Sequence, residues 1–206
     1  MAKMKLYYSP SSPYARKVRV LATETKLDKK IELVNVALTP VAPSADVDKH
    51  NPIGKIPALS VKGMDLFDSP VICEYLDSQH KGRKLLPRKG RERWVALRQQ
   101  AMADGLLDAA LLARYEVALR PEEKRWPEWS QGQTKKINGV LAQLEAETKS
   151  LKGKLTIGTI SVACALGYLD LRFADLGWRD RCPKLAKWFA ATSKLPSIKT
   201  TAPPPA

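Results

Sequence analysis

Cysteine and histidine are scarce in this chain of 206 residues, with three of the former and two of the latter. Cys73, Cys164 and Cys182 form no C-x-x-C pair and are odd in number, which argues against a disulfide framework and against a cysteine zinc site. His50 and His80 alone do not make a His-rich centre, so no metal is expected. Long apolar runs are missing too. None approaches the roughly 18 residues that a membrane-crossing helix requires, and no membrane partner is expected. The start, MAKMKLYYSP, has two lysines with no apolar stretch behind them, so no secretory leader is expected and the chain reads as cytoplasmic. Acidic residues are outnumbered, 21 against 35 Lys and Arg, for a net charge of +14. The excess is shared by both halves and favours an anionic partner without naming it. At 44% hydrophobic and 27% charged the composition is that of a globular chain of one or two domains.

The residues fall into two textures. Up to about residue 80, short extended runs alternate with helical ones. Residues 4–8 read as an aromatic strand stopped by Ser9-Pro10, and Val18, Leu21, Ala22 and Thr25 mark one face of a helix. A second strand is expected over 31–36, then a Pro- and Asp-rich loop over 37–52 with at most one helical turn. Residues 56–61 and 64–67 flank Lys62-Gly63 and predict a hairpin. Asp68-Ser69-Pro70 opens the next helix as a capping residue with proline close behind, and Val71, Ile72, Tyr75 and Leu76 are expected to be buried. From residue 88 the pattern is helical almost throughout. Trp94, Leu97, Ala101, Leu107, Ala110 and Leu111 predict one long amphipathic helix, and Ile137, Val140, Leu141, Leu144 and Ala146 another. Residues 157–173 are apolar nearly all round and predict a central buried helix. A last short helix is expected around Leu185–Ala190, followed by the irregular tail TTAPPPA. The expected class is α/β plus all-α: domain one over 1–80, a linker over 81–90 and a helical domain over 91–206.

Lys81 to Arg93 carries seven basic residues against one acid, Glu92. No aromatic is interleaved before Trp94, as base stacking would require. A solvated linker is therefore expected and nucleic acid is not.

Chemistry concentrates in NPIGKIPAL, residues 51–59, and in LFDSPVICEYL, residues 66–76. Pro57 cannot donate to a sheet, so it sits at a strand start or edge. A cis bond there would leave the main chain of Ile56 free for a peptide-like ligand. The helix opening at Ser69 offers unpaired N–H groups suited to a carboxylate. Together these describe a seat for an extended peptide with a free carboxylate.

With KLYYSPSSPYARKVRVL at the front, and ALRQQAMADGLLDAAL and ISVACALGYLDLRF in the helical half, the chain resembles the glutathione transferase superfamily, and within it bacterial serine-type members. The resemblance implies a thioredoxin-like first domain followed by a helical bundle, a homodimer, and no resident cofactor, with glutathione as co-substrate. It implies a cis-proline at Pro57, with Ile56 pairing the cysteinyl part of glutathione. Ser69 and its N–H would take the γ-glutamyl carboxylate and Asp68 would face the ammonium group. Lys55 and His50 would meet the glycyl carboxylate, and Asp104 would reach the ammonium group, across a dimer interface or within one chain, with a surface or helix-pairing role as its alternative. Asp108, Leu111, Leu112 and Tyr115 would wall the electrophile pocket, with ordinary core packing as the alternative.

Glutathione's thiol, with an ordinary pKa of about 8.5, is mostly protonated at neutral pH, and a hydroxyl donating to sulfur favours the thiolate. Ser12 holds the position of the cysteine in the family's Cys-Pro-Phe/Tyr classes and is the first choice. Ser11 is the second and Tyr8 the third. Against these stands the plain reading of serines before a helix as turn and cap residues. The three cysteines lie outside this turn and are read as small core residues. Where the family has a Ser/Thr-x-x-Asp capping box, this chain reads Thr156-Ile157-Gly158-Thr159, so loss of the reciprocal cap, worth about 1 kcal/mol, is expected. The function expected is conjugation of glutathione to a small electrophile. The alternative is a glutathione- or protein-binding module of the same fold without turnover.

Overall fold

The computed structural model describes residues 4–204. The strands are β1 (Met4–Tyr8), β2 (Ile31–Asn35), β3 (Ala58–Val61) and β4 (Met64–Leu66). The helices are α1 (Pro13–Glu24), α2 (Ala45–Asp48), α3 (Ser69–Ser78), α4 (Gly90–Ala118), α5 (Pro127–Ala146), α6 (Ile157–Arg172), α7 (Trp178–Arg181), α8 (Pro183–Thr192) and α9 (Pro196–Thr200). The first three residues and the last two of the tail lie outside the described residues.

The sheet order is β2-β1-β3-β4. β1 and β2 run parallel and need a crossover, which α1 supplies, whereas β3 is antiparallel to both β1 and β4. The tight β3–β4 connection is built from Lys62 and Gly63, both at positive φ (42° and 79°), the backbone that a two-residue hairpin requires. Strand alternation sends Leu6 and Leu59 to one face and Tyr7 and Ala58 to the other. The first face meets Val18 and Leu21 of α1 and Ile72 and Leu76 of α3. The second is covered by Val47 of α2 in a small separate cluster.

The larger cluster continues without a break into the helical half, through Leu106, Leu107, Ile160, Leu166 and Leu169. α6 is its axis, buried along most of its length. Gly158 explains how closely α6 approaches α4: a Cβ there would meet the Ala96 carbonyl at 2.5 Å and the Gln99 side chain at 2.6 Å. The thioredoxin-like sheet followed by a helical bundle is the fold class expected.

Several expectations need correction. On α3 the buried residues are Ser69, Ile72, Cys73, Leu76 and Asp77, while Val71 points outward, because it lies about 160° round the helix from Ser69 and Cys73. On α4 the inner face is Ala96, Gln99, Gln100, Ala103, Leu106, Leu107 and Ala110, while Ala101 is exposed and Trp94 is 68% exposed. Close packing on α6 selects small residues over the large ring. α9 had not been expected at all.

The cap of α6 is not lost. Thr156 Oγ1 accepts the Thr159 N–H at 3.4 Å and Thr159 Oγ1 accepts the Thr156 N–H at 2.9 Å, so a hydroxyl closes the box in place of a carboxylate.

The basic segment is more than a solvated linker. Leu85 and Leu86 are buried. Their N–H groups donate to the buried Asp77 carboxylate at 2.8 and 3.3 Å. The Leu85 carbonyl takes the Ile157 N–H at 2.9 Å, joining the segment to the start of α6.

Candidate glutathione site at the domain seam

Three backbone features converge at the C-terminal end of β1. The first is the turn into α1, where Ser12 is the N-cap and Pro13 the first helical residue. Ser12 Oγ accepts the Ala15 N–H at 3.2 Å. That bond uses a lone pair and leaves the hydroxyl proton free to donate elsewhere. Ser11 Oγ is instead within 3.2 Å of Ser9 Oγ. The Tyr8 ring lies beneath the Arg19 guanidinium, 5.3 Å from its centroid.

The second feature is the loop before β3. Asn51, buried, organises it. Its Nδ2 donates to the Lys55 carbonyl at 2.8 Å, its Oδ1 accepts the Ile53 N–H at 3.0 Å, and its carbonyl takes the Gly54 N–H at 2.8 Å. Gly54 turns the chain at φ 65°. The Ile56–Pro57 peptide is cis, Pro57 is buried and Ile56 half-buried, just outside β3. The Lys55 side chain is exposed. His50 is engaged on both ring nitrogens, by the Tyr7 hydroxyl at 2.7 Å and by Asp65 at 2.9 Å, and stacks on the Tyr7 ring.

The third feature is the start of α3. The Asp68 carboxylate caps the helix by accepting the Ser69 N–H. The N–H expected to take a ligand carboxylate is thus already used. The free group is the Ser69 hydroxyl: Ser69 is 0% exposed and its Oγ has no partner. A buried polar atom left unpaired is costly, and such atoms are uncommon in folded proteins.

α1 and α4 are joined by two polar contacts that no local pattern announced. Lys17, 1% exposed, donates to both oxygens of Asp104 at 2.7 and 2.8 Å. The Tyr14 hydroxyl donates to Asp108. Burial raises the Asp104 pKa, with Lys17 opposing. Burial and the bond to Asp108 raise that of Tyr14. Asp104 is therefore tied to Lys17 of its own chain. Leu112 is exposed on the same helix, and Leu111 and Tyr115 are half-buried. All three cysteines are buried. Among the described residues, no three His, Cys, Asp or Glu side chains are arranged to hold a metal ion.

Residues 11–79 match the family model for the glutathione S-transferase N-terminal domain, and residues 127–191 that for its C-terminal domain. The uncharacterized GST-like protein YibF of Escherichia coli (strain K12) is 34% identical over 98% of this chain and 100% of its own. A glutathione transferase family member from Pseudomonas fluorescens Pf-5, solved with bound glutathione, superimposes with a TM-score of 0.97 at 50% identity, over 98% of this chain and 100% of that one. A glutathione S-transferase from Methylobacillus flagellatus, with GSH bound, gives 0.89 at 39% identity, over 98% of this chain and 100% of that one. The chain belongs to the glutathione S-transferase superfamily.

Proposed function

We propose that the protein binds reduced glutathione across the three features above and conjugates it to a small electrophile. The observation that carries the reading is the Ser69 hydroxyl, buried and unpaired at the head of α3, which a γ-glutamyl carboxylate would satisfy. Asp68 faces the ammonium group, with Asp104 behind it neutralised by Lys17. The Ile56 main chain pairs with the cysteinyl residue. The glycyl carboxylate falls to the exposed Lys55, because His50 is held by Tyr7 and Asp65. That solved relatives hold glutathione supports glutathione as the ligand.

Ser12 then activates the sulfur. Its hydroxyl proton is free while its lone pair caps α1, so it can donate to a thiolate without giving up the helix. Ser11, paired with Ser9, is second, and Tyr8, beneath Arg19, is third. The thiol loses its proton to solvent, the thiolate forms a bond to the electrophilic carbon, and the leaving group departs with its electron pair. The protein contributes thiolate stabilisation and orientation. Glutathione enters as co-substrate, with no resident cofactor. The chain acts in the cytoplasm as a homodimer, with residues 81–90 joining its two domains.

Calorimetry with reduced glutathione and a conjugation assay on a generic aryl halide test this together. Binding is expected, with turnover falling at least about tenfold in Ser12→Ala. Binding without turnover would instead identify a glutathione-binding module. No heat at millimolar glutathione would end the reading.

A further inference from the structure

Arg16 lies one helical turn after Ser12, its N–H bonded to the Ser12 carbonyl at 2.9 Å. Helical side chains lean toward the N-terminus, which aims this guanidinium back at the Ser11–Ser12 turn. The side chain is buried. One nitrogen donates to the Ile198 carbonyl of α9 at 3.0 Å, and Nε has no partner. Among the described residues no carboxylate lies within ion-pair distance of it. Buried charges are normally paired; this one has no carboxylate partner among the described residues.

Its place is built for it. α6 carries glycine at position 167, in its interior, and a Cβ there would collide with Arg16 Nη1. A glycine inside a helix is less favourable than alanine, so the guanidinium is accommodated at the expense of helix stability. Ser11, Ser12, Arg16, Cys164, Tyr168 and Pro203 enclose a cavity of about 10 Å³, room for a single water at most. Arg16 thus sits behind the Ser11–Ser12 turn, packed against α6 and α9.

We infer that Arg16 is a positioning residue whose unpaired buried cation supplies the positive field that holds the sulfur of glutathione as a thiolate above the Ser11–Ser12 turn. The inference rests on the glutathione reading. The described groups facing Arg16 leave this field uncancelled. Burial pushes the Cys164 thiol up to about 11 and raises the Tyr168 hydroxyl, so both stay neutral at physiological pH. Lys17 and Arg19 on α1 are cations, Lys17 being already paired with Asp104. α9 presents a carbonyl and the tail presents Pro203. An uncancelled cation near a thiol lowers its pKa, and low local dielectric strengthens the effect.

The test is a pH titration of the thiolate absorbance of enzyme-bound glutathione, with S-methylglutathione as the blank. In Arg16→Gln the pKa is expected to rise by about one unit, a tenfold smaller thiolate fraction at any pH below both values. Affinity measured where the thiol is protonated should change by less than about threefold. Arg16→Lys, which keeps the charge, should stay near the wild type. An unmoved pKa in Arg16→Gln overturns the inference, as does a Lys variant displaced as far as the Gln variant. If Arg16→Gln does not fold, Arg16→Met, which keeps much of the side chain's length without its charge, is read the same way: a raised pKa supports the field and an unmoved one refutes it. Failure of the wild type to bind glutathione would strike the underlying reading and is seen before any variant is made.

Discussion

Ser69 carries a hydroxyl that its own chain does not use. Removing an unsatisfied buried polar atom is close to neutral for the free protein, whereas removing a ligand's partner is not. Ser69→Ala should therefore leave the melting temperature of the free protein unchanged or slightly raised while weakening glutathione about tenfold, near 1.4 kcal/mol. Calorimetry and thermal denaturation on one sample decide it; a lower melting point with unaltered binding would make Ser69 a purely structural residue. The cysteines act in the opposite sense, as groups the fold hides. Burial pushes Cys73 up to about 12 and Cys164 up to about 11 from the ordinary 9.0. The unfolded chain therefore loses these protons first, and stability falls as pH climbs above 9.0 toward those values. Each thiol adds at most about 1.4 kcal/mol per pH unit to that decline. Urea midpoints measured on the alkaline side should fall less steeply with pH in Cys73→Ala than in the wild type, and equal slopes would contradict the assignment. The candidate seat is legible as a linear motif, because the proline, the acidic-serine pair and the pre-helix serines each belong to a short run of the chain. Its clasps are not. Lys17 meets Asp104 across 87 positions and Tyr14 meets Asp108 across 94, and no local spacing encodes such pairs. Arg16 escaped for the same reason, its partner being the Ile198 carbonyl 182 positions on, whereas Asn51 escaped because its near neighbours Ile53 and Lys55 are bound through backbone atoms that no side-chain pattern marks.

Among the elements, those with a strong local signal were read correctly and those shaped by a neighbour were not. The β3–β4 hairpin announces itself through Lys62-Gly63, and α6 through its unbroken apolar run. The face of α4 is misleading, since the helix buries alanine and glutamine against α6 and leaves Trp94 outside. At the head of α6 the side chain of Thr159 does the work expected of an aspartate. Thr159→Ala removes half of this reciprocal cap and should cost about 1 kcal/mol. For a chain of this size the loss is a drop of roughly 2–4 °C in melting temperature. Scanning calorimetry showing no drop would mean that the box contributes nothing measurable.

On the whole molecule, Met64, Val71 and Trp94 remain exposed despite their apolar side chains. Arg93 reaches Glu74 of α3 at 3.6 Å, which brings the start of α4 alongside α3, where Val71 and Glu74 are one turn apart on the same side. A second copy of the chain is the proposed cover. The wild type should sediment as a dimer and Trp94→Glu as a monomer; a monomeric wild type would leave the patch without that explanation. Finally, the Asp77 carboxylate grips Leu85 and Leu86 while the Leu85 carbonyl holds the first N–H of α6. The crossing between the two halves is thereby splinted to both, so any swing of one half against the other about this segment would first have to break these three bonds.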